Sequence, residues 1–149
     1  MLMMNPDKFF DLRQKADIRT AIMEAELNTS GEIRVHVEDK LKGDVLDRAA
    51  YIFEKLGMHR TKERNGILFY LAVGSKKFAI LGDAGINSRV PENFWDNIKN
   101  TMADNFQKGD FAEGLSTGII LTGEQLKKHY PHQVDDVNEL SDEISYGNG

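Results

Sequence analysis

The sequence predicts an α/β fold: a three-layer α/β/α sandwich built on a small mixed β-sheet. Three observations predict it. The apolar period switches from 3.6 to 2 and back along the chain. Ile67–Val73 is apolar without a break, as in a strand buried on both faces, and Gly74-Ser75 separates it from a second β-rich run, Lys77–Leu81. That spacing is a tight hairpin. Finally, a helix-length amphipathic segment lies between an alternating strand, Glu32–Glu38, and Ile67–Val73. A strand–helix–strand unit of this kind closes as a right-handed crossover, which makes the two strands parallel.

The elements follow in order. Pro6–Lys15 reads as a short helix with Asn5 as N-cap and Pro6 at its first position. A second helix spans about 17–27, with Ile18, Ile22 and Ala25 on one face, and Asn28-Thr29-Ser30-Gly31 breaks it. In Glu32–Glu38, Ile33, Val35 and Val37 face one way and Glu32, Arg34, His36 and Glu38 the other. Asp44 is placed to cap a helix over 44–56, which Gly57 ends. After the hairpin, Ala84–Arg89 reads as a loop or short extra strand. Pro91 opens a helix over 91–106, and a last helix covers 110–128 until Pro131.

Parallel strands begin at the same sheet edge, and the antiparallel hairpin strand finishes there. Ser30-Gly31-Glu32, Asn65-Gly66 and Gly82-Asp83 are therefore expected to converge within side-chain reach, since neighbouring strands lie ~4.8 Å apart. This corner is the predicted functional site.

Composition limits the chemistry. With 149 residues, 40% hydrophobic, the chain is one domain with a real core. It has no cysteine, so thiolate metal sites and cysteine catalysis are excluded. The net charge is −5, but the segment from Val134 onward holds five acids and no Lys or Arg, which leaves a neutral body. The expected division is a domain over 1–133 and an acidic, structureless tail over 134–149. A neutral body argues against nucleic acid as a partner. No apolar run approaches the ~18 residues of a membrane span, and the N-terminus lacks signal-peptide regions. The expectation is a soluble, cytoplasmic monomer with no membrane partner.

Several strings in the chain point to a family. Thr-Ser-Gly-Glu-Ile-Arg-Val (29–35), Arg-Asn-Gly-Ile-Leu (64–68), Ala-Ile-Leu-Gly-Asp-Ala-Gly-Ile (79–86), Phe94-Trp95 and Gly-Asp-Phe-Ala-Glu-Gly-Leu (109–115) resemble the TPM domain, over roughly 17–131 and in the right order. That family includes a thylakoid-lumen repair protein of photosystem II and bacterial membrane-anchored proteins. The resemblance implies an α/β/α sandwich and divalent-cation binding, most often calcium. The expected role is in regulation or protein maintenance, and a further reading is an adaptor whose tail or surface contacts a protein partner. It also implies a phosphatase activity, as reported for plant members. The alternative function is accordingly a metal-assisted acid phosphatase acting on phosphomonoesters.

Each candidate ligand has an ordinary structural reading beside it. Asp83, in Gly-Asp-Ala-Gly, is a metal ligand or a turn aspartate. Glu32 is a ligand or a solvated strand residue. The two carboxylates are expected to face each other and repel, and either a cation or an arginine, Arg34 or Arg64, resolves that. Asn65 is a carbonyl ligand or a turn residue. Asp110 and Glu113 are ligands or a capping box, Asp-x-x-Glu ahead of an apolar helix. Oxygen-only donors favour calcium, with magnesium as competitor, over zinc. Gly114-Leu115-Ser116-Thr117-Gly118 matches the serine-hydrolase string, but helical periodicity runs through it where a strand is needed. Its glycines are expected to allow close helix–sheet packing. His129 and His132 have metal-like spacing around a helix-breaking Pro131, without an acid partner.

Overall fold

The computed structural model describes residues 5–27, 29–131 and 139–147. The chain forms α1 (Leu12–Glu26), β1 (Glu32–Glu38), α2 (Val45–Lys55), β2 (Gly66–Ala72), β3 (Lys77–Gly82), α3 (Ala84–Arg89), α4 (Asp96–Gln107), α5 (Phe111–His129) and β4 (Ser145–Tyr146). Short 3-10 turns occupy Pro6–Lys8 and Met58–Arg60. The sheet order is β3-β2-β1-β4. β1 runs parallel to β2 and to β4, and β2 runs antiparallel to β3. The sheet is therefore mixed, as the sequence predicts.

Alternation in β1 divides the core. Ile33, Val35 and Val37 join Ile67, Phe69 and Leu71 against Ile18 and Ile22 of α1, Ile98 and Met102 of α4, and Leu115, Ile119 and Leu126 of α5. Leu68, Tyr70, Ala72 and Ala79 turn to the opposite face and meet Ala49, Ile52 and Phe53 of α2. β2 is buried along its whole length because both layers cover it.

Some elements differ from the sequence reading. The predicted helix over 6–15 breaks after one turn, because Asp11 caps a new helix. Its side chain accepts from the Gln14 amide at 2.7 Å, and Gln14 Oε1 accepts in turn from the Asp11 amide at 3.0 Å. Residues 84–89, expected as loop or strand, form α3, whose N-cap is Asp83. Helix α4 starts at Asp96, five residues after Pro91.

The largest difference concerns the tail. Residues 134–138 lie outside the described residues, but 139–147 lie along β1 and supply the fourth strand. Ser145 pairs with His36 and Tyr146 with Val37. The Gly147 amide donates to the Val37 carbonyl at 3.0 Å. Leu140, Ile144 and Tyr146 pack on the core. The tail's composition is acidic, but β1 would otherwise present an open edge, and three apolar side chains are enough to seat an edge strand there.

Among the described residues, no helix is long and apolar enough to cross a membrane. Gly114 and Gly118 sit inside α5, where a Cβ would meet Phe106 and Met102 of α4. The close packing they allow is thus helix on helix, not helix on sheet.

Candidate functional site: the edge where the strands begin

The register brings the three predicted loops together. Glu32 lies opposite Gly66, and Ile67 lies opposite Gly82. The Glu32 amide donates to the Asn65 carbonyl at 3.2 Å, and the Asp83 amide to the Gly66 carbonyl at 2.9 Å. The end of α5 closes the corner. The Thr29 hydroxyl donates to the Leu126 and Tyr130 carbonyls, the Ser30 amide to the Tyr130 carbonyl at 2.9 Å, and the Tyr130 hydroxyl to the Gly85 carbonyl at 2.5 Å.

Asp83 is neutralised by an arginine. Arg64 donates to both of its oxygens, Nε to Oδ2 at 2.7 Å and Nη2 to Oδ1 at 2.8 Å, and the Ala84 amide adds a bond to Oδ1 at 2.7 Å. Burial pushes the Asp83 carboxyl up, but these donors outweigh it and hold the group below the usual range. Asp83 thus has Arg64, one of the two arginines the sequence offered, as its partner, and β2 lies between it and Glu32.

Glu32 is 3% exposed. Its Oε1 accepts the Leu140 amide at 2.5 Å, while Oε2 is enclosed and, among the described residues, has no donor within 3.5 Å, with Glu139 beside the carboxyl. Burial, with Glu139 close by, raises its carboxyl to about 7. Glu26 at the end of α1 accepts the Ile33 amide at 2.9 Å, and burial, with Asp142 bonded to it, raises it to about 9. Asn65 is also buried. Its side-chain amide donates to the Ser30 carbonyl at 2.9 Å and to Glu63 at 3.3 Å, and its Oδ1 has no donor among the described residues.

The remaining predicted ligands lie elsewhere. Asp110 and Glu113 stand at the start of α5, and the end of that helix is what closes the corner. Its 19 residues span roughly 28 Å. There the two acids border an open cleft of about 270 Å³ with Gln14, Asp17 and Ser116. Asp110 makes no side-chain capping bond, so the capping-box reading does not describe it either. Among the described residues, no three His, Asp or Glu side chains are grouped to hold a metal ion. His129 packs against the Phe94 ring, and His132 lies outside the described residues.

Sequence reasoning missed Glu26, Glu63, Glu139 and Asp142. Glu139 and Asp142 were read as solvating charge, and only the docking of the tail brings them to the corner.

These carboxyls set a pH dependence. Glu26 and Glu32 hold their protons more tightly folded than unfolded. The stability they contribute is fully present below the ordinary glutamate value of 4.5 and is lost as pH rises through about 7 and about 9. Asp83 acts oppositely, contributing above the usual aspartate range and losing that contribution as pH falls through its depressed value. Denaturant midpoints measured across this range should fall between pH 5 and pH 9. A midpoint that is flat or rising over that interval would contradict the assignment.

Comparison with known proteins agrees with this geometry. Residues 3–125 match the TPM domain. No curated protein matches the chain. Among solved structures, the BA42 protein of the psychrophilic bacterium Bizionia argentinensis superposes with a TM-score of 0.90 at 45% identity, covering 95% of this chain and 97% of that one. The N-terminal domain of a P. gingivalis protein gives a TM-score of 0.69 at 20% identity, covering 85% and 83%. The N-terminal domain of cg2496 from Corynebacterium glutamicum gives 0.65 at 14%, covering 84% and 79%. These last two share the fold. With a family match over most of its length and the motif loops gathered at one sheet edge, the chain belongs to the TPM domain family.

Proposed function

We propose that the protein is a divalent-cation-binding module that takes up calcium at the corner where β1 and β2 begin, with a regulatory or protein-maintenance role. One observation carries this reading: among the described residues, two buried oxygens there, Glu32 Oε2 and Asn65 Oδ1, have no donor. An enclosed acceptor without a partner is costly, and a hard cation that binds oxygen offsets that cost. Asp83 joins the ligand set only if Arg64 lets it go. The Arg64 side chain is half exposed, so it can swing into solvent. Calcium must also displace the proton that burial keeps on Glu32, so affinity should strengthen as pH rises through about 7.

The test is thermal denaturation with calcium and magnesium. A cation that binds only the folded form adds ~2.7 kcal/mol at a hundredfold excess over Kd. Glu32→Gln should remove most of the calcium-dependent rise in melting temperature, and Asp110→Ala should keep it. A rise of unchanged size in Glu32→Gln would overturn the proposal. Turnover of a generic phosphomonoester, followed in the same samples, distinguishes this reading from a metal-assisted phosphatase, since a binding module predicts no calcium-dependent turnover.

A further inference from the structure

Arg34 is a cation that the corner does not use. It lies in the middle of β1, half buried, on the face that carries Glu32, His36 and Glu38. Its Nε–H is fully enclosed and, among the described residues, has no hydrogen-bond partner. Of the neighbouring carboxylates, Glu38 is fully committed elsewhere and Glu32 is bonded through one oxygen only. Glu38 binds Arg48, Tyr70 and His36, and Glu32 binds the Leu140 amide. Burial holds the Arg34 guanidinium below the usual arginine range.

Arg34 forms one wall of a pocket of about 270 Å³ that Arg60, Thr61 and Ser141 also line. Gly57, at φ +71°, turns the chain so that Arg60 folds back over it, with the position of a Gly57 Cβ 3.7 Å from Arg60 Cδ. Among the described residues, Arg60 makes no ion pair. Both hydroxyls already accept an amide bond, Thr61 from Asn65 at 3.1 Å and Ser141 from Glu143 at 3.1 Å, so each keeps its hydrogen to donate. Glu139 is the one acid on the rim, and both of its oxygens face the Lys62 amide, at 3.3 and 3.4 Å.

We propose that this pocket binds a small oxyanion, held by the Arg34 and Arg60 guanidiniums and the Thr61 and Ser141 hydroxyls. Two guanidinium-bearing and two hydroxyl-bearing residues line the pocket, and Arg34 also carries an enclosed N–H that lacks an acceptor among the described residues; donors of these kinds complement a phosphate or carboxylate group. The proposal concerns binding and does not depend on the cation site. It has a structural consequence, because Ser141 belongs to the docked tail while Arg34, Arg60 and Thr61 belong to the body. An anion in the pocket therefore ties residues 139–147 to β1.

The test follows the Arg34 Nε–H resonance by nuclear magnetic resonance on the full chain, with no added calcium and at constant ionic strength. Inorganic phosphate, sulfate and acetate are titrated separately. The expected result is a saturable shift with at least one of them, and the arms tell a tetrahedral from a planar oxyanion. Bound anion should also slow amide exchange across 140–147. Arg34→Gln and Arg60→Gln, followed through the Ser141 amide, should each weaken binding by about tenfold or more, and Arg13→Gln on exposed α1 should not. Arg60 is exposed, so its variant keeps the test decisive even if Arg34→Gln fails to fold. No saturable shift with any of the three anions, or equal binding in Arg60→Gln and the parent, would overturn the proposal.

Discussion

Arg48→Ala should lower the stability of the domain by about 2–3 kcal/mol, more than an ordinary surface substitution. Its partner, Glu38, ends β1 and is fully buried. Arg48 Nε donates to Glu38 Oε2 at 3.0 Å and Nη2 to Oε1 at 2.5 Å. The Tyr70 hydroxyl adds a bond at 2.5 Å, and His36 Nε2 lies 3.2 Å away. Burial alone would raise the Glu38 carboxyl, but the donors from Arg48, Tyr70 and His36 reverse the direction. Burial lowers the His36 imidazole, which leaves Arg48 as the dependable positive charge at neutral pH. Removing Arg48 strands a carboxylate in the core. Some of its side chain reaches solvent, so the expected cost is below that of a fully enclosed pair. Glu38→Gln in the Arg48→Ala background should recover most of the loss, because an amide tolerates burial better than an unpaired charge. Denaturant unfolding of the two variants checks both figures. A single-variant loss under about 0.5 kcal/mol, or no recovery in the double variant, would contradict the network.

Gly85→Ala should cost a similar amount, about 3 kcal/mol, and should act through the corner. Gly85 is helical in α3, so space is the constraint, not conformation. A Cβ there would sit 2.5 Å from the Arg64 carbonyl oxygen and closer still to that of Glu63. Both are backbone atoms that no rotamer change can move aside. Loop 63–65 must shift, which disturbs the Arg64–Asp83 pair and the bond from the Tyr130 hydroxyl to Gly85. Gly109→Ala is the comparison, since a Cβ there meets nothing within 4 Å and the strain comes only from φ +82°. That left-handed backbone costs about 1–2 kcal/mol. Equal losses in the two variants, by the same unfolding measurement, would remove the steric argument.

The central sheet was legible because burial on both faces leaves an unmistakable apolar run at Ile67–Val73, and because Gly74-Ser75 marks the hairpin, although its connection spans 73–76 and not two residues. Parallel β1 and β2 then followed from chirality, and with them the meeting of Glu32, Asn65 and Asp83 at one edge. What was lost is non-local. Asp110 and Glu113 carry the family's motif but stand at the far end of a long helix, a separation that linear spacing does not encode. The tail was misread because composition averages over 16 residues, while docking needs only Leu140, Ile144 and Tyr146 beside an open strand edge. The arginine that neutralises Asp83 was visible as an option at Arg64. The pairing depends on which arginine the fold places beside Asp83, which residue spacing does not encode.

The most direct test of the cation reading is to map calcium by amide chemical shift on the full chain. The account predicts saturable shifts at 30–32, 65–66 and 82–87, larger than any at 110–113, and their loss in Glu32→Gln. Calcium shifts confined to 110–113 and the start of α1, or no saturable shift at all, would contradict it.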